Sequence, residues 1–293
     1  MRYFDRLHPV CAFVYLACVI AVSMLTQHPV VVTVCALTGM TLYGVLCGAR
    51  RLLKSLKLSL PLFALVALLN PIFSHKGSTV VLFLNDNPIT LEATVYGVFS
   101  ATMIVAVLYW FACLGEIMTS DKLIYLFGRI IPRLSLLLSM TLAAVPRLRR
   151  QYREILDAQR ATGLWNDESY TARLRLRLLA VSALTSRALE GSIDTADSMR
   201  ARGYGLPGRT AYSLYRFTPS DAVVLALTLV LGGTVVALSL VGAADFSYYP
   251  VLGSPSLATE SWVMEGALLL LCGLPILMEV KEMISWHILR SNI

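Results

Sequence analysis

The sequence predicts an all-α polytopic membrane protein with about six transmembrane helices, and two observations carry this prediction. Of the 293 residues, 57% are apolar and only 15% are charged, and the mean hydropathy is +0.68, a balance that soluble domains rarely have. The apolar residues also gather into runs close to the roughly 20 residues that a helix needs to cross a bilayer. These candidate spans are 9–26, 29–47, 57–74, 93–115, 222–243 and 262–280.

Prolines predict where these spans begin or end, and glycines predict where they contact one another. Pro29 and Pro219-Ser220-Asp221 suit helix starts, because a proline in the first turn loses no hydrogen bond. Asn70-Pro71 is expected to stop or kink the third span. Glycines are expected to allow close contact between helices at Gly44 and Gly48 in the second span and at Gly232 and Gly233 in the fifth.

The distribution of basic residues predicts the orientation. Arg50, Arg51, Lys54 and Lys57 join the second and third spans, most other Lys and Arg residues lie in 116–220, and 244–261 contains neither. By the positive-inside rule, both termini then face the cytoplasm and the chain crosses the bilayer several times. Because the net charge of +7 follows this topology, no nucleic-acid partner is expected.

The chain divides into a four-span segment at 1–115, a polar helical region at 116–220 and a two-span segment at 221–293. The middle region is too polar to span a membrane and too patterned to be a linker. Ser120 or Asp121 can cap a helix at its start. Residues 134–145 are apolar but too few to cross, so they suit the membrane interface or the surface beneath a partner.

Two amphipathic helices follow within the polar region. The first runs on from Pro146 and ends in Ala158-Gln159-Arg160-Ala161-Thr162-Gly163, and the second runs from about Thr171 to Arg202. The second helix ends in Met199-Arg200-Ala201-Arg202-Gly203-Tyr204, of which the first end is an imperfect copy. A helix end with small residues around an arginine can enter a groove and meet carboxylates there, although a cation before a glycine stop is also an ordinary helix ending.

No motif in the chain predicts an enzyme, a metal centre or a cofactor site. The four histidines and six cysteines are scattered, and there is neither a P-loop nor a Gly-x-Ser-x-Gly elbow. Residues 203–208 match Gly-x-Gly-x-x-Gly. However, they follow a helix, whose negative dipole end repels phosphate, so they do not predict a dinucleotide site.

These features together resemble the transmembrane (T) component of energy-coupling factor (ECF) transporters, the group that includes the cobalt-transport T subunits. The resemblance runs from the apolar spans through Thr119-Ser120-Asp121-Lys122-Leu123, Val145-Pro146 and Ser186-Arg187-Ala188-Leu189-Glu190 to the second helix end. It implies that two Ala-Arg-Gly-like motifs on two coupling helices dock into two cytoplasmic ATP-binding cassette (ABC) ATPases. The docking residues would be Arg200, Ala201, Arg202 and Gly203 at one end, and Arg160, Ala161, Thr162 and Gly163 at the other.

The first motif departs from the family pattern, because Thr162 stands where the family has arginine. Arg160 lies two positions earlier, a rotation of about 200° on a helix. It could substitute only if the helix end unwinds or turns. The two ATPase contacts are therefore expected to be unequal.

The resemblance implies a non-catalytic subunit of an ABC importer in the plasma membrane of a prokaryote. This subunit would couple ATP hydrolysis to a small substrate-binding (S) subunit that takes up a vitamin or a metal ion. A stand-alone carrier or channel is the main alternative, although Glu92, Glu265 and Glu279 all lie near span ends and none near the midplane. A membrane enzyme is a further alternative, with only Asn70, Tyr96 and Tyr109 as scattered candidates.

Overall fold

The computed structural model describes residues 7–74, 76–84, 87–128, 131–163, 169–207, 215–253 and 259–291. Nearly all of these residues are helical, which confirms the predicted all-α class. In chain order the described helices are α1 Pro9–Leu25, α2 Pro29–Cys47, α3 Ala49–Phe73, α4 Leu91–Ile117, α5 Ser120–Gly128, α6 Pro132–Ala161, α7 Tyr170–Ala201, α8 Pro219–Leu240 and α9 Thr259–Ser291.

Six of these helices are apolar enough to account for the predicted spans. Five of them, α2, α3, α4, α8 and α9, are also long enough to cross a membrane. The sixth, α1, has 17 residues, at the short end of the spanning range. The chain is therefore a multi-pass membrane protein.

The third span begins earlier than its prediction. It begins at Ala49, directly after Gly48, so Arg50, Arg51, Lys54 and Lys57 form its first turns and not a loop. Gly48 makes this possible, because at φ +84° it ends α2 and reverses the chain without further residues. The helix includes Pro71 and ends two residues later at Phe73, one residue before its predicted end.

A short β-hairpin occupies part of the segment between α3 and α4. Strands β1 (Val80–Leu84) and β2 (Asn87–Thr90) pair antiparallel, with a shift in register between Val80 and Leu82. Below the hairpin, Glu92 in the first turn of α4 accepts hydrogen bonds from the Thr79 amide, the Thr79 hydroxyl and the Ser78 hydroxyl. The hydrogen bonds of this buried carboxylate are thus made to residues of the segment just before α4.

The chain separates into two compact units, one formed by 1–122 and 215–293 and the other by 123–214. The first unit contains the apolar helices, and α4 packs in it against α1, α2 and α3. Its centre is Trp110, a fully buried residue whose Nε1 donates to the Cys35 carbonyl 3.0 Å away. Tyr15 lies edge-on to Trp110 and donates its hydroxyl to the Leu271 carbonyl at 3.0 Å, which connects α1 to α9.

The start of α8 is tied to the start of α1 by one buried carboxylate. Asp221 accepts from the Thr218 amide at 2.8 Å, and the Thr218 hydroxyl accepts in turn from the Asp221 amide, which completes a capping box. The other oxygen of Asp221 accepts from the His8 amide at 3.1 Å. The predicted helix start at Pro219-Ser220-Asp221 is confirmed, and its carboxylate also holds the chain just before α1.

The glycines that were expected to permit close helix contact behave differently from one another. Gly232 on α8 faces Cys18 on α1 so closely that a Cβ atom at Gly232 would overlap the Cys18 sulfur. A Cβ atom added at Gly233 or at Gly48 would have no neighbour within 4 Å, and Gly48 lies at a helix end. Only Gly44, against Leu52, and Gly232 therefore make the predicted contacts.

Two substitutions at neighbouring residues test the contact between α1 and α8. Gly232→Leu should destabilise the protein by about 1–3 kcal/mol, because the new side chain overlaps Cys18 in a close-packed interface. Gly233→Leu makes the same chemical change one residue away and should be nearly neutral. The measurement is the thermal unfolding midpoint in detergent. Equal midpoints for the two variants would contradict this packing, and adding Cys18→Ala should recover part of the loss in Gly232→Leu.

Candidate partner-docking site

The second compact unit contains α6 and α7, which run in opposite directions and form a helical hairpin. Near one end, Gln159 on α6 donates its side-chain amide to the Leu176 carbonyl on α7 at 3.4 Å. Toward the other end, Met140 of α6 and Met199 of α7 line the same groove of about 450 Å³. The order of contacts reverses between the two helices, so the C-terminus of α6 and the C-terminus of α7 lie at opposite ends of the hairpin.

The long apolar stretch that precedes Pro146 is part of α6. The helix runs unbroken for 30 residues, so 134–145 and the amphipathic segment after Pro146 form one element. Several large apolar side chains of this stretch are exposed within the chain, namely Leu134, Leu137, Leu138, Met140, Leu142 and Val145. They form a surface that needs lipid or a partner to cover it.

The C-terminus of α7 closes with two backbone hydrogen bonds and a left-handed glycine. Arg202 has φ −80° and ψ 6°, and Gly203 follows at φ +74°. The Gly203 amide donates to the Arg200 carbonyl at 2.9 Å, and the Tyr204 amide donates to the Met199 carbonyl at 2.9 Å. This is a complete Schellman motif, which satisfies the last carbonyls of the helix.

The C-terminus of α6 has the same backbone geometry. Thr162 has φ −81° and ψ 2°, Gly163 follows at φ +76°, and the Gly163 amide donates to the Arg160 carbonyl at 3.0 Å. Within the described residues, the two ends therefore correspond residue by residue from Arg160 to Gly163 and from Arg200 to Gly203. The corresponding pairs are Arg160 with Arg200, Ala161 with Ala201, Thr162 with Arg202, and Gly163 with Gly203.

This correspondence changes the interpretation of Arg160. The hypothesis that Arg160 replaces the missing arginine required the helix end to unwind or turn, but α6 is regular through Ala161. Arg160 matches Arg200 and so does not fill the place of Arg202. The sequence had already aligned Thr162 with the arginine position, and the backbone of the two ends agrees with that alignment.

The side chains at the two ends differ in how their polar groups are used. Arg202 and Arg200 are exposed, and among the residues that the structure describes no carboxylate pairs with either guanidinium. At the other end, the Thr162 hydroxyl donates back into its own helix, 2.9 Å from the Gln159 carbonyl and 3.3 Å from that of Ala158. Arg160 pairs with Asp157 at 3.3 Å, one turn earlier on α6.

The glycine-rich segment after α7 has no dinucleotide-site geometry in its described part. It follows a helix C-terminus, and both Gly203 and Gly205 have positive φ, at +74° and +92°. Gly208, the last glycine of the pattern, lies outside the described residues. The first glycine ends a helix and does not begin one, which is the wrong polarity for a phosphate site.

These features define a class of integral membrane protein, one with several apolar helices and a separate polar hairpin that ends in two similar arginine-containing turns. Residues 3–212 match the cobalt transport protein family, CbiQ. This match covers well over half of the chain, and the protein belongs to that family.

Three curated relatives are all described as energy-coupling factor transporter transmembrane protein EcfT. The chain is 28% identical to the one from Listeria innocua over 209 residues, which are 66% of this chain and 78% of that protein. It is 31% identical over 105 residues to the one from Lactobacillus helveticus, and 32% identical over 111 residues to the one from Bacillus selenitireducens. These shorter matches cover 38% and 41% of the two relatives.

The turn at Gly203 should tolerate no side chain. Gly203→Ala forces an L-residue into the left-handed region and brings a methyl group within 3.0 Å of Leu206, so it should destabilise the helix end by about 1–2 kcal/mol. Hydrogen exchange of the 202–204 amides should therefore speed up.

A matched control lies in the middle of the same helix. Gly191 is a helical residue with normal φ, so Gly191→Ala should stabilise α7 by up to about 1 kcal/mol. If Gly203→Ala leaves the 202–204 amides as protected as Gly191→Ala does, the left-handed turn is not the conformation in solution.

Proposed function

We propose that this chain is the T component of an ECF-type ABC importer. In this role it couples ATP hydrolysis by two cytoplasmic ATPase subunits to the movement of a membrane-embedded S subunit that takes up a vitamin or a metal ion. The observation that carries the proposal is the pair of equivalent arginine-containing ends on one hairpin. A single rigid element with two such ends can hold two partners at once.

The geometry supports two separate docking points. From Leu176, which lies next to the end of α6, the helix α7 continues to Arg200, a distance on the order of 35 Å at 1.5 Å per residue. Two partners can therefore bind the hairpin without competing for the same surface. Arg202 offers an exposed planar cation suited to a paired carboxylate contact in a groove.

The coupling in this proposal is mechanical. Closing of the ATPase pair on ATP moves the two ends, and α6 and α7 transmit that motion because each is a continuous helix of at least 30 residues. The exposed apolar stretch at 134–145 then displaces the S subunit. Such coupling requires that the partner contacts differ in free energy between the two states of the ATPase pair.

The orientation in this proposal places both termini and the hairpin in the cytoplasm of a prokaryotic cell. It is supported by the four basic residues in the first turns of α3, which follow directly on the reversal at Gly48. Hydrolysis belongs to the ATPases. Neither end of the hairpin carries a nucleophile and base, and no cluster of three metal-ligating side chains occurs among the described residues.

Reversing the charge at the second end tests the docking. Arg202→Glu should abolish co-purification of ATPase subunits with this chain from native membranes, because an acidic groove repels the new carboxylate. Arg187→Glu makes the same change on an exposed residue in the middle of α7 and should leave the ATPase ratio unchanged.

The readout is the ratio of ATPase to this chain after purification in mild detergent, counted by mass spectrometry, with circular dichroism to check folding. A normal ATPase ratio in the Arg202→Glu variant contradicts the docking. If the wild-type chain purifies without any ATPase and transports solute alone in liposomes without ATP, the chain is an independent carrier.

A further inference from the structure

Helices α1 and α2 both begin with a histidine followed by a proline, but only the first of these histidines caps its helix. The Nδ1 atom of His8 accepts from the Val10 amide at 3.3 Å, as an N-cap side chain normally does. His28 stands at the same place before Pro29 and makes no such bond. Its ring lies edge-on to Phe246, with the two ring centroids 5.9 Å apart. The imidazole of His28 is therefore not used to cap α2.

The short turn between α1 and α2 buries three unpaired polar atoms. His28 is only 1% exposed and Thr26 only 7%. Among the described residues, neither ring nitrogen of His28 and no group near the Thr26 hydroxyl oxygen forms a hydrogen bond there. Such unpaired buried groups destabilise a fold. The turn is held by packing and by one bond, from the Tyr248 hydroxyl to the Gln27 carbonyl at 2.6 Å, so a modest change in free energy can open it.

Glu265 on α9 is the charged group that faces His28. Its Oε1 atom lies 3.9 Å from the Nδ1 atom of His28, which is too far for a hydrogen bond but close enough for a charge interaction. On the segment after α8, Phe246 covers the imidazole, Tyr248 packs behind Phe246, and Asp245 is exposed. Within the described part of the chain, Glu265 is the one charge that acts on the imidazole.

These surroundings oppose the protonation of His28. Burial lowers its pKa below the ordinary value of about 6.5, and the Glu265 carboxylate opposes this shift without reversing it. A cation at this place also meets the positive end of the α2 dipole. The closed turn thus binds a proton less tightly than an open turn does. Its stability is complete above about pH 6.5 and falls as the pH drops from there toward the lowered pKa.

We infer that His28 is a proton-binding site that opens the turn between α1 and α2 in acid, and that Glu265 sets the pH at which it opens. Protonation gives the buried ring two N–H donors and a positive charge, with one distant carboxylate to meet them. The ring reaches water when the turn swings out, which breaks the bond from Tyr248 to the Gln27 carbonyl. Opening therefore frees the start of α2 from α9 and from the segment after α8.

In the orientation proposed above, the turn between α1 and α2 faces the outside of the cell. The external pH would then control how the start of α2 packs. This last step alone rests on the proposed function, because the response of the turn to acid depends only on the residues around His28.

The experiment measures hydrogen exchange of the full-length chain alone in lipid nanodiscs, between about pH 7.5 and about pH 5. The reporter is the Val32 amide, which donates to the His28 carbonyl at 3.0 Å. Protection is the ratio of the intrinsic to the observed exchange rate, so the direct effect of pH on exchange cancels. The Met118 amide, which donates to the Leu114 carbonyl at 2.8 Å after α4, reports on unfolding of the whole unit.

Protection at Val32 should fall by up to about tenfold for each pH unit below about 6.5, because opening takes up one proton. His28→Phe keeps an aromatic ring but cannot bind a proton, so its protection should not depend on pH. Glu265→Gln removes the opposing carboxylate, so its protection should fall further than that of the wild type. Glu260→Gln makes the same change on an exposed residue in the first turn of α9 and should match the wild type. Protection at Met118 should stay constant.

Four results would overturn the inference. They are wild-type protection at Val32 that does not change with pH, a His28→Phe variant with the wild-type pH dependence, a smaller fall in Glu265→Gln than in the wild type, and equal losses at Val32 and Met118. If His28→Phe does not fold, His28→Gln gives the same comparison. The ATPases are absent from this measurement, so none of these results bears on the docking tested by Arg202→Glu.

Discussion

The structure depends on how each helix end satisfies its backbone hydrogen-bonding groups. Within a bilayer no water can reach these groups, so an apolar helix must make its backbone hydrogen bonds internally, and its ends need other partners. Asp221 does this for α8 while it also holds the amide of His8, and Gly48 ends α2 and starts α3 in a single residue. These caps fix where α2 ends and where α3 and α8 begin, and Asp221 also connects the start of α8 to the segment just before α1.

Helix termination also shapes the two ends of the hairpin. Both α6 and α7 close with a glycine in the left-handed region, and the residue before each glycine is exposed. In α7 that residue is Arg202, which becomes an exposed cation without any dedicated loop to present it. In the proposed complex, the residue that ends the helix is therefore also the residue that contacts the partner. The residue just before the glycine, Thr162 in α6 and Arg202 in α7, decides whether that contact has a positive charge.

Several features of the fold were predictable because they depend on sequence-local chemistry. The spans, the start of α8 at Pro219-Ser220-Asp221 and the two amphipathic helices all follow from apolar runs, prolines and caps. The start of α3 at Ala49 was not predicted, because the basic residues at 50–57 were expected to join the second and third spans. The β-hairpin at 80–90 was also missed, since its strands are short, and the role of Gly232 depends on Cys18 in a distant helix.

The sequence by itself determined that this is a multi-pass membrane protein with a polar helical region and two arginine-containing ends, because hydropathy and helix signals act over neighbouring residues. The tertiary structure alone decided that α6 and α7 run in opposite directions, so that their C-termini lie at opposite ends of the hairpin. This arrangement depends on packing between the two helices, which no local pattern specifies. The torsion angles at Thr162 and Gly163 make Arg160 equivalent to Arg200, so α6 ends in a threonine where α7 ends in Arg202.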